Sequence, residues 1–377
     1  MKFVRRPDSQ AAARDLRASV IPLAVALAAP SLPSPAEAQS LEEFHASVDE
    51  TVEAATAEQS ARPGGASLPV EPDRTVVIIP CGMAAEGCAR AARGTEEAAA
   101  VLGWETVLID PAGDPSKMAN AVLQAINLGA DAIALQAIDA GTVLGPLTEA
   151  KKAGIAVVAF AGIDQDGVLD ATIPSEESFV DDGYNIAAAA YRMAGDRLNI
   201  IQMRADEFGV IVNRATGTEK FIEECRAAGG ECSILAAENF LVSNLTTQVP
   251  QQAVGQLRRN PDFDVLWVGY DAGLNFMIQG LEAAGLTDEG FAVSFDANVA
   301  NLDIIREDGF EKATSGLPLE WVGWAEVDAL NRLFQGEEPT DGNVRSKVLV
   351  RENLPDAGAW EGDVDFRAAY RELWNVQ

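Results

Sequence analysis

Two α/β lobes in tandem, each a doubly wound parallel sheet, are predicted by three features of the 377-residue sequence. Short β-branched apolar runs recur, beginning with Thr75-Val-Val-Ile-Ile-Pro80, and read as buried strands. Each run is followed by a turn and a segment of helical spacing, too long for a hairpin, so the strands must pair in parallel through right-handed crossovers. The alternation pauses at an extended segment, Val168 to Pro174, and then begins again.

Taken in order, the chain opens with Lys2, Arg5, Arg6, Arg14 and Arg17, an apolar run from Ala18 to Ala29, and Ala36-Glu37-Ala38. Basic segment, short apolar core and small residues form a secretory signal, with cleavage expected after Ala38 and a mature chain from Gln39. The apolar core is shorter than the roughly 20 residues that span a bilayer, and no cysteine near the cut suggests a lipid anchor. The alternative is an unstructured start with chance alanines. Leu41 to Gln59 follows as an amphipathic helix with Leu41, Phe44, Val48 and Val52 on one face. Residues 61–73, rich in Pro and Gly, read as a linker that packs against a lobe or stays loose.

In the first lobe, Arg74 to Pro80, Glu105 to Asp110, Ala130 to Gln136 and Ile155 to Phe160 are predicted strands. The helices between them are Cys88 to Gly103, Ser116 to Leu128 and Thr142 to Gly154. Ligands of such sheets sit beyond the carboxyl ends of the strands, which points to the loops 81–87, 111–115, 137–141 and 161–166. A long helix, Asp181 to Ala194, leads into the second lobe. Its strands are Leu198 to Met203, Ser233 to Ala237, Val265 to Gly269 and Phe291 to Phe295. Its helices are Thr216 to Ala228, Gln248 to Arg259 and Leu274 to Ala284, followed by a short one at Val299 to Glu307. After Phe310 to Gly316 come a helix from Glu320 to Phe334, a last strand at Lys347 to Val350 and a helical tail from Asp365 to Trp374.

Composition removes several function classes. The chain has 28 Lys and Arg against 58 Asp and Glu, a formal charge of −30, so nucleic acid is not expected as a partner. Loss of the signal removes five basic and three acidic residues and leaves the chain more acidic still. The single histidine, His45, lies outside the strand-helix pattern, which argues against His-dependent triads and metal sites. No Walker loop and no Gly-x-Gly-x-x-Gly follows a strand, so no cofactor is expected. Cys81 and Cys88 are seven residues apart, as are Cys225 and Cys232. In an exported protein two such local pairs read as two disulfides, each contributing about 2 to 3 kcal/mol in the chain-entropy model. The alternative is free buried thiols, since Cys-x6-Cys lacks the knuckle spacing of zinc ligands.

Several short motifs carry a family resemblance: Gly94-x-Glu96-Glu-Ala98 with Leu102-Gly103-Trp104, Asp110-Pro-Ala-Gly-Asp114-Pro115, Gly129-Ala-Asp131-Ala-Ile133, Ile138-Asp139 and Ala150-Lys-Lys-Ala-Gly154-Ile155. In order and spacing these resemble the type I periplasmic solute-binding proteins of ABC importers, the ribose- and galactose-binding kind, over roughly Thr75 to Leu354. The resemblance implies two lobes joined by a three-segment hinge. Lobe 1 would comprise 74–173 and 317–345, lobe 2 174–316 and 346–354, with 355–377 a tail. A small hydroxylated ligand, sugar or polyol, would be caught in the cleft and delivered to an ABC permease by a monomer in the periplasm, without covalent chemistry.

Carried over by position, Asp139 matches the acid after the third strand that binds sugar hydroxyls, and Arg214, in Asn213-Arg214-x-x-Gly217, the arginine that lies over the ligand. Asp271 and Asp296 match acids after strands of the second lobe, and Gln251 falls near a polar contact. Carboxylates and guanidinium forks at strand ends can read a polyol's hydroxyls, which is the physical sense of these positions. Phe160, Phe208 and Trp321 can stack on a sugar face. Each has a plainer alternative: Phe160 as core, Phe208 packing its own loop, Trp321 anchoring a hinge helix, and the three aspartates capping helices. The paired aromatics usual after the first strand are replaced by Cys81-Gly-Met-Ala-Ala-Glu86, and the Asp-Arg pair after the fourth by Ala161-Gly162, which departs from simple pyranose or furanose binders. The same fold could serve a ligand sensor docking on a chemoreceptor or membrane kinase. A hydrolase using paired carboxylates such as Asp139 and Asp271 is a third possibility.

Overall fold

The computed structural model describes residues 39–165 and 167–376; the expected signal sequence lies outside them. The first sheet contains β1 (Thr75–Pro80), β2 (Glu105–Leu108), β3 (Ala132–Gln136), β4 (Ala156–Phe160) and β5 (Ala171–Thr172), ordered β2-β1-β3-β4-β5 and parallel throughout. Strand alternation decides which helices cover each face. Val76 and Ile78 point to the core under α2 (Glu86–Val101) and α10 (Leu319–Phe334), and Val77 and Ile79 to the core under α3 (Pro115–Leu128) and α4 (Leu144–Lys152).

The second sheet holds β6 (Arg197–Arg204), β7 (Glu231–Asn239), β8 (Val265–Val268), β9 (Phe291–Phe295), β10 (Glu311–Gly316) and β11 (Lys347–Val350), ordered β11-β10-β9-β8-β6-β7. Only the edge strand β11 departs from the parallel pattern, pairing antiparallel to β10 where the chain returns from the first lobe. Helices α5 (Glu176–Met193), α6 (Gly209–Ala227), α7 (Val249–Arg259), α8 (Asp271–Ala284) and α9 (Val299–Arg306) belong to this lobe. The chain crosses between lobes before α5, between β10 and α10, and between α10 and β11. In both sheets the strand order reverses beside the first strand, between β1 and β3 and between β6 and β8. That switch point opens a crevice at the carboxyl ends.

Helix α6 begins at Gly209, seven residues before the predicted start at Thr216. The run Val210-Ile-Val212 favours extended backbone, but the helix is set by packing on α5. At Gly217 an added Cβ would lie 1.8 Å from the Val180 carbonyl oxygen, and at Gly183 one would lie 1.8 Å from that of Arg214. Glycines at both positions let the two backbones touch, which fixes the rotation of α6 and hence the direction of Arg214.

Outside the lobes, α1 (Leu41–Thr56) starts at a capping box of Ser40 and Glu43 and buries Phe44 and Val48 in the core of the second lobe. At the other end α11 (Phe366–Trp374) lays Phe366, Tyr370 and Trp374 against Trp321 and Trp324 of α10. Both disulfides, Cys81 with Cys88 and Cys225 with Cys232, are formed.

Candidate functional site

The loops after β3 and β4 of one lobe meet the start of α6 of the other. Asp139, after β3, accepts hydrogen bonds from the Ile163 amide of its own lobe at 3.0 Å and from the Gly209 amide of the second lobe at 3.0 Å. Gly209 is the first residue of α6, whose preceding residue Phe208 supplies no side-chain cap. Asp139 therefore caps that helix from across the cleft, with its charge at the positive end of the helix dipole. Burial nonetheless lifts its carboxyl above the ordinary value, against the pull of the two amides.

One turn further along α6, Arg214 is buried, with its guanidinium 4.5 Å over the Phe295 ring. Its Nη1 donates to the Gly269 carbonyl at 3.0 Å and its Nη2 to Asp296 Oδ1 at 2.9 Å, while its Nε has no hydrogen-bond partner among the described residues. Burial raises the Asp296 carboxyl despite this ion pair. Two further groups crowd the cluster. Asp182 on α5 is buried, its carboxyl pushed up to about 7 by desolvation against the attraction of Arg214, and its Oδ2 has no partner among the described residues. The hydroxyl of the half-buried Tyr270, just before α8, is itself buried with no partner among the described residues, and it is raised by desolvation and by the nearby Glu207 and Asp296.

The structure thus brings together Asp139, Arg214, Asp296 and, at the entry to α6, the half-buried Phe208. It separates the other candidates from them. Asp271 is fully buried under its own loop: Ser294 Oγ and Thr314 Oγ1 donate to Oδ1, and the Asn298 amide to Oδ2 at 2.7 Å. Unlike the partly exposed Asp139, Asp271 has no exposed surface, so it braces its loop inside the lobe and does not face the cleft. Phe160 ends β4 within the core of the first lobe, the plainer of its two readings. Trp321 is fully buried and stacked on Phe366 at 5.5 Å, which leaves no face for a ligand. Gln251 is exposed on α7 beside Thr247, Gly255 and Arg259, with none of the cleft cluster near it.

Sequence reasoning does not reach Tyr270, Asp182 or the buried Arg90 of α2, whose Nη1 donates to the Asp296 carbonyl at 2.9 Å. Arg90 and Asp182 carried a signal, since each is a charge on an otherwise apolar helix face: Arg90 among Ala89, Ala91 and Ala92, and Asp182 between Phe179 and Ile186. Tyr270 carried none. Among the described residues no group of His, Cys, Asp and Glu could hold a metal ion.

A family model described as a periplasmic binding protein domain matches residues 76–338. No curated protein is similar enough in sequence to count as a relative. Among solved structures, the binding component of the arabinose ABC transporter from Shewanella sp. ANA-3, bound to α- and β-L-arabinofuranose, is 20% identical with a TM-score of 0.64, covering 74% of this chain and 92% of its own. A solute-binding protein from Agrobacterium vitis with bound allitol is 16% identical at TM-score 0.65, with 74% and 96% covered. The 5-methylthioribose transporter binding protein of Thermotoga lettingae, in complex with that ligand, is 17% identical at 0.64, with 78% and 89% covered. At these identities the likeness is one of fold.

Proposed function

The chain belongs to the periplasmic binding protein domain family, and from that membership we propose that it captures a sugar or polyol between its lobes and delivers it to an ABC transporter permease. The observation that carries this reading is the cross-lobe cluster, in which Asp139 of one lobe meets the Gly209 amide of the other beside the Arg214–Asp296 pair. A polyol offers hydroxyls that both donate and accept. Its donors suit Asp139 and Asp296, and its acceptors suit Arg214 Nε and the Tyr270 hydroxyl, which have no partner among the described residues. The solved structures of like fold named above hold an arabinofuranose, allitol and a methylthioribose, all polyhydroxylated. Residues 1–38 act as the export signal in this reading, and the mature protein works in the periplasm, binding without turnover.

The test is a thermal-shift screen of the mature chain against pentoses, hexoses, furanose-forming sugars and alditols, followed by calorimetry on any hit. A ligand bound only by the folded state raises the melting temperature by mass action. Asp139→Ala and Arg214→Ala are expected to weaken the hit about ten- to a hundredfold, the loss of a hydrogen bond to a charged group. Full affinity in both variants, or chemical change of the ligand by the wild type, would overturn the reading.

A further inference from the structure

Asp296 does not hold its own conformation. Its φ is +107° and that of Ala297 is +57°, both in the left-handed region that residues with a Cβ avoid. Two grips hold the turn there. The second lobe takes its amides: the Asp296 N–H donates to the Ser315 carbonyl at 2.9 Å and the Asn298 N–H to Asp271 Oδ2 at 2.7 Å. The other face of the turn is taken from the opposite lobe by Arg90 of α2, which is 1% exposed. Its Nη1 donates to the Asp296 carbonyl at 2.9 Å, to Asn298 Oδ1 at 3.1 Å and to the Ala297 carbonyl at 3.4 Å. The rest of the fork is anchored where the lobes join. Nε donates to Glu361 at 2.7 Å, and Nη2 to the carbonyls of Trp360 at 2.9 Å and Leu317 at 3.4 Å.

We propose that Arg90 is a cross-lobe positioning residue: with Glu361 fixing its plane, it locks the Asp296–Asn298 turn of the second lobe so that the Asp296 carboxylate stays aimed at Arg214 and the ligand. This rests on the reading that Asp296 faces ligand. Arg90 itself touches none. A planar fork that reaches several carbonyls at once cannot be replaced by an ammonium of equal charge. Asn298 fits the same role, since it stands at the N-cap of α9 yet makes no side-chain cap bond there and offers its carbonyl oxygen to Arg90 instead.

The experiment is hydrogen–deuterium exchange on the ligand-free mature protein, comparing wild type, Arg90→Lys and Asn298→Ala, so its outcome does not depend on any ligand having been found. In Arg90→Lys the amides of 296–299 are expected to exchange about tenfold faster, with β1 and β6 unchanged, because only a local opening has been made easier. Asn298→Ala, which keeps Arg90 and its other bonds, should shift the same peptide by less, and serves if Arg90→Lys fails to fold. Wild-type exchange at 296–299 in the folded variants overturns the proposal, and so does a rise spread evenly over both lobes, which would make Arg90 a general stability residue. If the exchange result holds but no sugar or polyol binds, the functional reading fails while the positioning role stands.

Discussion

Ser294 has one hydroxyl hydrogen and two carboxyl neighbours. Its Oγ lies in hydrogen-bond reach of Asp271 Oδ1 and 2.5 Å from Glu311 Oε1, and all three residues are buried. Ser294 can donate to only one of them, so the other must carry a proton and donate back. Desolvation drives this: it pushes Asp271 up to about 7, helped by the charge of Asp296, and Glu311 well above its ordinary range, helped by Asp271. A raised carboxyl binds a proton in the folded state that the unfolded chain has already released. Over the window from the ordinary Asp value of 3.8 to about 7, stability therefore falls as pH rises. Glu326, buried between Thr95 and Gln136 and also pushed up to about 7, acts in the same direction. The melting temperature is expected to be higher at pH 5.5 than at pH 8. Glu311→Gln, which imitates the protonated acid, should leave it nearly unchanged at the lower pH and raise it by several degrees at the higher, read by calorimetric scans at both. A wild type equally stable at the two values would contradict the shared-proton account. In sequence Asp271 and Asp296 look alike, each an acid just past an apolar strand. What separates them is whether the carboxylate turns under its loop or out to the cleft, and for Asp271 that depends on Ser294, Thr314 and Glu311, 23 to 43 residues away.

At the level of elements, strands read well because each is a continuous apolar run, and β9 and β11 coincide with their predicted bounds. Helix starts read less well where tertiary contacts set them. Helix α6 is the clearest instance: its first turn is β-branched, and its cap is an aspartate from the other lobe, which no local pattern announces. The Gly217 of the motif Asn213-Arg214-x-x-Gly217 was legible as a feature but not as a reason. Its reason is the approach to Val180, where an alanine methyl would collide with backbone and not with a yielding side chain. Overpacking of this kind costs about 1 to 3 kcal/mol and sometimes more. Gly217→Ala should lower the urea midpoint accordingly and, by rotating or displacing α6, weaken ligand binding through Arg214 without touching the ligand. A variant with wild-type stability and affinity would mean that the α5–α6 contact can relax freely.

For the molecule as a whole, the segment with least promise in the sequence, residues 39–73, ties the lobes together. Helix α1 is sunk in the second lobe through Phe44 and Val48, with His45 Nε2 3.0 Å from the Tyr191 hydroxyl. The chain then runs to β1 of the first lobe, bonding along the way. The Gln59 amide donates to Asp363 at 2.8 Å, Arg62 pairs with Glu372 at 2.9 Å, the Ser67 hydroxyl donates to the Leu373 carbonyl at 2.6 Å and the Glu71 amide to Asn331 at 3.0 Å. Of the two readings open from sequence, packed or loose, the structure shows the packed one. Its Pro and Gly content looked like a linker because its partners are the C-terminal tail and α10, some 260 to 310 residues away. Besides the three crossings, this makes a further covalent path between the lobes, docked at both ends. A path of fixed length limits how far two bodies can swing apart about a hinge. A chain beginning at Asp73 should lose the burial of Phe44 and Val48, about 1.5 to 3 kcal/mol for each side chain, and should open further. Solution scattering of the ligand-free form is expected to give a larger radius of gyration for the shortened core than coordinates of the same residues predict. A shortened chain that melts with the full one and scatters as those coordinates predict would show that residues 39–72 rest on the lobes without restraining them.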